Sequence, residues 1–139
     1  MAEFRRLAII GAGHQGSSVA RAARSDAARA RGGMATEIVM YDSSPAVRDR
    51  VIELGFADHV APTLASAVTG ADCVMLCVPV GAMAAVAAEM APHLSPGTIV
   101  TDVGSTKLSV VHDVAPLLPR HVHFVPAHPM AGTEFSGPD

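Results

Sequence analysis

Leu7-Ala8-Ile9-Ile10-Gly11-Ala12-Gly13-His14-Gln15-Gly16 decides the fold. Four consecutive apolar residues run into three glycines spaced G-x-G-x-x-G. The stretch that follows, Ser17 to Arg31, carries Val19, Ala20, Ala23 and Ala27 at helical spacing, with Arg21, Arg24 and Arg29 elsewhere on its surface. A continuous apolar run suits a central strand covered on both faces. Strand, glycine turn and helix in that order make a phosphate cradle: Gly11 permits the tight turn, Gly13 lets a diphosphate approach the backbone, and Gly16 lets helix pack on strand. The helix N-terminus adds unpaired N–H groups and a partial positive charge. The candidate cofactor-binding residues of the loop are therefore Gly11, Ala12, Gly13, His14, Gln15 and Gly16.

Working outward, Gly32 and Gly33 end the first helix, and Glu37 to Tyr41 forms a second strand with Asp42 at its carboxyl end. A carboxylate there accepts hydrogen bonds from the adenosine ribose and repels a 2′-phosphate, which favours NAD over NADP. Asp42 follows Gly16 by 26 positions, against roughly 20 in the usual pattern. A long first helix and the Gly32-Gly33 connection account for the excess. An Asp at a strand end also serves as a helix cap, and Arg48, one or two helical turns away, offers a cation to a 2′-phosphate.

The remaining chain alternates short apolar runs with Ala-rich segments. Pro45 opens a helix to about Leu54, capped by Ser43 or Ser44 and closed by Gly55. His59 to Ala61 reads as a short strand, Leu64 to Thr69 as a short helix, and Cys73 to Val78 as a buried strand. Pro79 opens a helix ending near Leu94, and Pro96-Gly97 turns the chain into strand Ile99 to Val103. A helix over Lys107 to Leu118 and a strand over His123 to Val125 precede a loop-like tail, Pro126 to Asp139. This is the pattern of a single α/β domain, a doubly wound and mostly parallel sheet of the Rossmann type.

Composition narrows the function classes. The chain has 139 residues, half of them hydrophobic, enough for one core and too few for two domains. A net charge of −3 with scattered basic residues argues against nucleic acid as a partner. No apolar run approaches the roughly 20 residues of a membrane helix, and Met1 to Arg6 lacks a signal-peptide pattern, so a cytoplasmic location is expected. Cys73 and Cys77, four residues apart on a strand, point to one face and read as reduced core thiols. His59, His93, His112, His121 and His123 show no metal-like spacing and are expected at the surface.

Two later segments sharpen the reading: Thr101-Asp102-Val103-Gly104-Ser105-Thr106-Lys107 and His128-Pro129-Met130-Ala131-Gly132-Thr133-Glu134. With the glycine loop and Cys77-Val78-Pro79-Val80, they resemble the prephenate, arogenate and cyclohexadienyl dehydrogenase family, over about Leu7 to Gly137. The resemblance implies oxidation of a ring hydroxyl of prephenate or arogenate, with hydride passing to NAD(P) and the ring carboxylate leaving as carbon dioxide, in tyrosine biosynthesis. It implies that His128 accepts the hydroxyl proton, a task suited to a neutral imidazole, and that Ser105 helps hold the hydroxyl and His128. Ser105 also sits where it can cap the following helix. Val78 and Pro79 are implied beside the cofactor, and Asp102, Lys107, Thr133 and Glu134 in supporting roles. The sequence departs from the family at His14-Gln15, where apolar residues are usual.

The resemblance further implies a mostly helical second domain, absent from these 139 residues, that supplies homodimer contacts and the basic groups for the substrate's carboxylates. The expectation is that this chain binds NAD and turns over poorly by itself. Two alternatives stand beside it: a non-catalytic NAD-sensing module, and another small-acid dehydrogenase with the same dinucleotide half. The His128 to Glu134 segment argues against both.

Overall fold

The computed structural model describes residues 4–12, 20, 35–55, 57–102 and 114–125. The expected first helix, apart from the helical and buried Ala20, lies outside the described residues, as do the start of the expected Lys107 helix and the tail from Pro126.

Six described strands form one parallel sheet: β1 (Phe4–Ile10), β2 (Ala35–Tyr41), β3 (His59–Val60), β4 (Cys73–Leu76), β5 (Ile99–Asp102) and β6 (His123–Phe124). Their order is β3-β2-β1-β4-β5-β6. β1 is central, pairing with β2 through Ile10↔Tyr41 and with β4 through Ile10↔Leu76. The strand order reverses between β1 and β4, and an open parallel sheet binds ligands at the carboxyl edge of such a reversal.

The continuous apolar run of β1 does what burial on two faces requires. Leu7 and Ile9 point into a cluster with Ile38, Met40, Cys73, Cys77, Ala20 and Val51. Ala8 and Ile10 point the other way, into Val39, Val74, Leu76, Val100, Met83, Ala87 and Met90. The alternation is the two-residue period of a strand. Each fully buried aliphatic side chain contributes about 2 kcal/mol of transfer free energy.

Helix α1 (Pro45–Leu54) covers the first face with Val51 and starts as expected, with Pro45 in the first turn and Ser44 as the cap, its hydroxyl accepting from the Val47 N–H. Gly55 ends it in the left-handed region at φ 70°, where a side chain would be strained. Helix α2 (Leu64–Val68) is capped at its N-terminus by reciprocal bonds between Thr63 and Ser66. α2 and α3 (Val80–Met90) cover the second face.

The structure shortens several expected elements. The helix after Pro79 stops at Met90 and tightens into a 3-10 turn over Ala91–His93. Pro92 has no N–H for an α-helical bond, and its ring obstructs the preceding turn. Pro116 gives Ala115–Leu117 the same 3-10 geometry where an α-helix was expected. β1 and β2 begin earlier than expected, at Phe4 and Ala35, because parallel pairing extends from Phe4↔Ala35 through polar residues that carry no apolar signal.

Cys73 and Cys77 are both buried and on the same face. Burial first, and the negative charge of Asp102 second, push the Cys77 thiol up from 9.0 to about 12. The folded state therefore favours the neutral thiol, a preference fully present below pH 9 and lost as the pH rises towards 12. Over that window Cys77 should lower stability by about 1.4 kcal/mol per pH unit. Urea midpoints at pH 8 and pH 10 test this: the alkaline loss should be smaller in Cys77→Ala than in the parent chain, and an identical loss in both would refute it.

Candidate dinucleotide site

The carboxyl ends of β1, β2 and β4 meet at Gly11. Its N–H donates to the Tyr41 carbonyl at 2.7 Å, and one residue earlier the Ile10 carbonyl accepts from the Cys77 N–H at 2.7 Å. Gly11 sits at φ 103°, and a Cβ there would lie 2.8 Å from the Cys77 carbonyl carbon and oxygen and 3.0 Å from Val78 Cγ1. The first glycine of the loop is thus required twice, by its conformation and by the backbone pressed against it. This is the tight turn expected of the loop's first glycine.

Ala12, 8% exposed, carries the chain onward. Its N–H donates to Asp42 Oδ2 at 2.9 Å, while Asp42 Oδ1 accepts from the Ser44 N–H at 2.9 Å. Asp42 therefore ties the glycine turn to the start of α1. The cap itself is Ser44, so the cap reading of Asp42 is replaced by a tether. Each carboxylate oxygen has a second acceptor direction, and one amide apiece leaves capacity for ribose hydroxyls. Sequence reasoning assigned Asp42 to the ribose and missed the tether, because contact with Ala12 arises from the Ile10↔Tyr41 register, which neither segment reveals alone.

Arg48 is fixed at the same corner. Its Nη1 donates to the Asp42 carbonyl at 2.7 Å, and its guanidinium carbon stands 5.7 Å from the centre of the Tyr41 ring. Across the reversal point, Val78 is half-buried against the core and Pro79 is the residue preceding α3. Asp102 ends β5, fully buried and in register with Leu76. Its charge acts on Cys77.

The described residues thus bring Gly11, Ala12, Asp42, Val78 and Pro79 to the carboxyl edge of the central strands. Gly13, His14, Gln15, Gly16, Ser105, Lys107, His128, Thr133 and Glu134 lie outside the described residues. Among the described residues there is no group of three or more His, Cys, Asp or Glu able to hold a metal, and no helix long and apolar enough to cross a membrane. Of the surface histidines, His59 Nε2 lies 2.8 Å from Glu37 Oε2 and His121 Nε2 lies 3.2 Å from the Leu94 carbonyl.

Gly11→Ala should destabilise the chain by at least about 2 kcal/mol, since strain at positive φ adds to a clash with backbone that cannot rotate away. Chemical denaturation measures it, and a variant as stable as the parent would show that the close approach at Cys77 is wrong.

Residues 19–139 match the family described as prephenate dehydrogenase, nucleotide-binding domain. Over 139 residues the chain is 45% identical to a cyclohexadienyl dehydrogenase of Zymomonas mobilis, covering all of this chain and 45% of that protein. It is 32% identical to a prephenate dehydrogenase of Bacillus subtilis, covering 94% of this chain and 34% of that one. Among solved structures, prephenate dehydrogenase of Aquifex aeolicus, crystallised with hydroxyphenyl propionate and NAD+, superposes with a TM-score of 0.74 at 31% identity, over 94% of this chain and 43% of its own. A Synechocystis arogenate dehydrogenase gives a TM-score of 0.73 at 26% identity, over 93% and 42%. The chain spans less than half the length of each of these relatives. It belongs to the family of prephenate dehydrogenase nucleotide-binding domains.

Proposed function

We propose that this chain is the NAD-binding half of a prephenate or arogenate dehydrogenase, acting in tyrosine biosynthesis in the cytoplasm. The observation that carries the reading is the meeting of Gly11, Ala12 and Asp42 at the sheet's reversal point, in a chain whose family match covers residues 19–139. Gly11 makes the tight turn off β1 that brings Ala12 to Asp42, and the Asp42 carboxylate faces that turn from the end of β2, as ribose recognition requires.

In this reading the residues Gly11 to Gly16 hold the diphosphate, Asp42 the adenosine ribose, and Val78 and Pro79 flank the cofactor across the reversal point. The nicotinamide supplies the hydride acceptor. His128 takes the proton of the substrate's ring hydroxyl and Ser105 orients that hydroxyl, with Lys107, Thr133 and Glu134 shaping the loops around them. Loss of the ring carboxylate as carbon dioxide leaves an aromatic product, and aromatisation drives the reaction. A second, mostly helical domain supplies cations for the substrate's carboxylates and the contacts of a homodimer.

Calorimetric titration of the chain with NAD, repeated with prephenate or arogenate present, tests the reading. Saturable NAD binding is expected, tightened by one of the two acids. A folded chain that does not bind NAD would overturn it. In a protein carrying both halves, His128→Asn should lower kcat by roughly two to four orders of magnitude while leaving NAD affinity intact. Undiminished turnover would remove His128 from proton transfer.

A further inference from the structure

The described arginines near carboxylates divide into two kinds. Arg5, Arg6 and Arg50 stand within 3.6 Å of Asp72, Glu37 and Glu53 respectively. Arg48 lies next to Asp42 in space, yet its bond goes to the Asp42 carbonyl and its guanidinium carbon lies over the Tyr41 ring. The Asp42 carboxylate is turned instead to the Ala12 and Ser44 amides. A carboxylate and a guanidinium are thus held side by side at the end of β2, each anchored by other groups.

We propose that Arg48 is a specificity-determining residue for the dinucleotide, forming the contact for a phosphate on the adenosine ribose. Selection at the 2′ position is then a balance between Asp42 and Arg48. The inference rests on the nucleotide-binding reading above and adds a residue and a phosphate subsite to it.

Three physical points support it. A guanidinium carries five N–H donors in a rigid fork, and one of them meets Asp42 among the described residues, so others remain for phosphate oxygens. The Tyr41 ring and the Asp42 carbonyl fix the group beforehand, so little side-chain freedom is lost when an anion arrives. The two amides on Asp42 disperse part of its negative charge, which weakens its repulsion of a 2′-phosphate without removing it. The chain should prefer NAD and still bind NADP measurably.

Dissociation constants for NAD and NADP, measured by calorimetry on the parent chain, Arg48→Met and Asp42→Asn, test the proposal. Arg48→Met should lower the NADP-to-NAD affinity ratio by about tenfold, the scale of one charge-assisted hydrogen bond. Asp42→Asn should raise it by about as much, and adding Arg48→Met to that variant should cancel the gain. The ratio for adenosine 2′,5′-bisphosphate against AMP should move in parallel, which assigns the effect to the 2′-phosphate. An unchanged ratio in Arg48→Met, or equal weakening of both dinucleotides, would overturn the proposal and leave Arg48 as a strut between β2 and α1. Should Asp42→Asn lose its loop tether and unfold, the Arg48→Met comparison decides alone. A folded parent chain that binds neither dinucleotide would sink the nucleotide-binding reading itself, and Arg48's role with it.

Discussion

The contact between the Gly11 backbone and the Cys77 peptide organises the carboxyl edge of the sheet. A hydrogen bond from Cys77 N–H to Ile10 O holds β4 to β1, and the next residue's N–H reaches Tyr41 O on β2. Three strands are locked within one peptide unit of each other, at the point where the chain must leave the sheet. Only a residue without a side chain fits there, at a φ of 103°. The turn's direction, the reach of Ala12 to Asp42 and the placing of Val78 across the gap all follow from that approach.

Much of this was legible because burial and turn chemistry leave local marks. Leu7 to Ile10 announced a strand covered on both faces, and the two clusters divide its side chains alternately. Ser44, Pro45 and Gly55 bounded α1, each by a local conformational rule. Long-range consequences were less visible. The bond from the Ala12 amide to Asp42 depends on strand register, which is set by two segments some 30 residues apart. The 3-10 endings at Pro92 and Pro116 were overlooked because apolar spacing continues through the prolines although the backbone bonds do not. The motif residues from Ser105 to Glu134 were read from resemblance, and their geometry lies outside the described residues.

Electrostatics at the carboxyl edge complement the backbone's constraints. Burial makes Cys77 hold its proton tightly, and the carboxylate that Asp102 brings into the fully buried end of β5 adds to the effect. Asp42 holds a second carboxylate at the same edge, half-buried and bonded to amides. Two acidic groups flank the place where an anionic ligand is expected, so backbone N–H groups and Arg48 have to provide the attraction.

The ends of the sheet bear on how this domain resists pairing with other chains. β3 and β6 are two residues long, and among the described strands both are outermost. An outer strand offers rows of backbone donors and acceptors to any extended peptide, and a strand this brief gives a foreign chain little length to zip along. Pro62 follows β3 within two residues, and a proline there withholds the next donor on that side. The longer strand β1, with its apolar run from Leu7 to Ile10, lies at the centre, where no outside strand can pair with it.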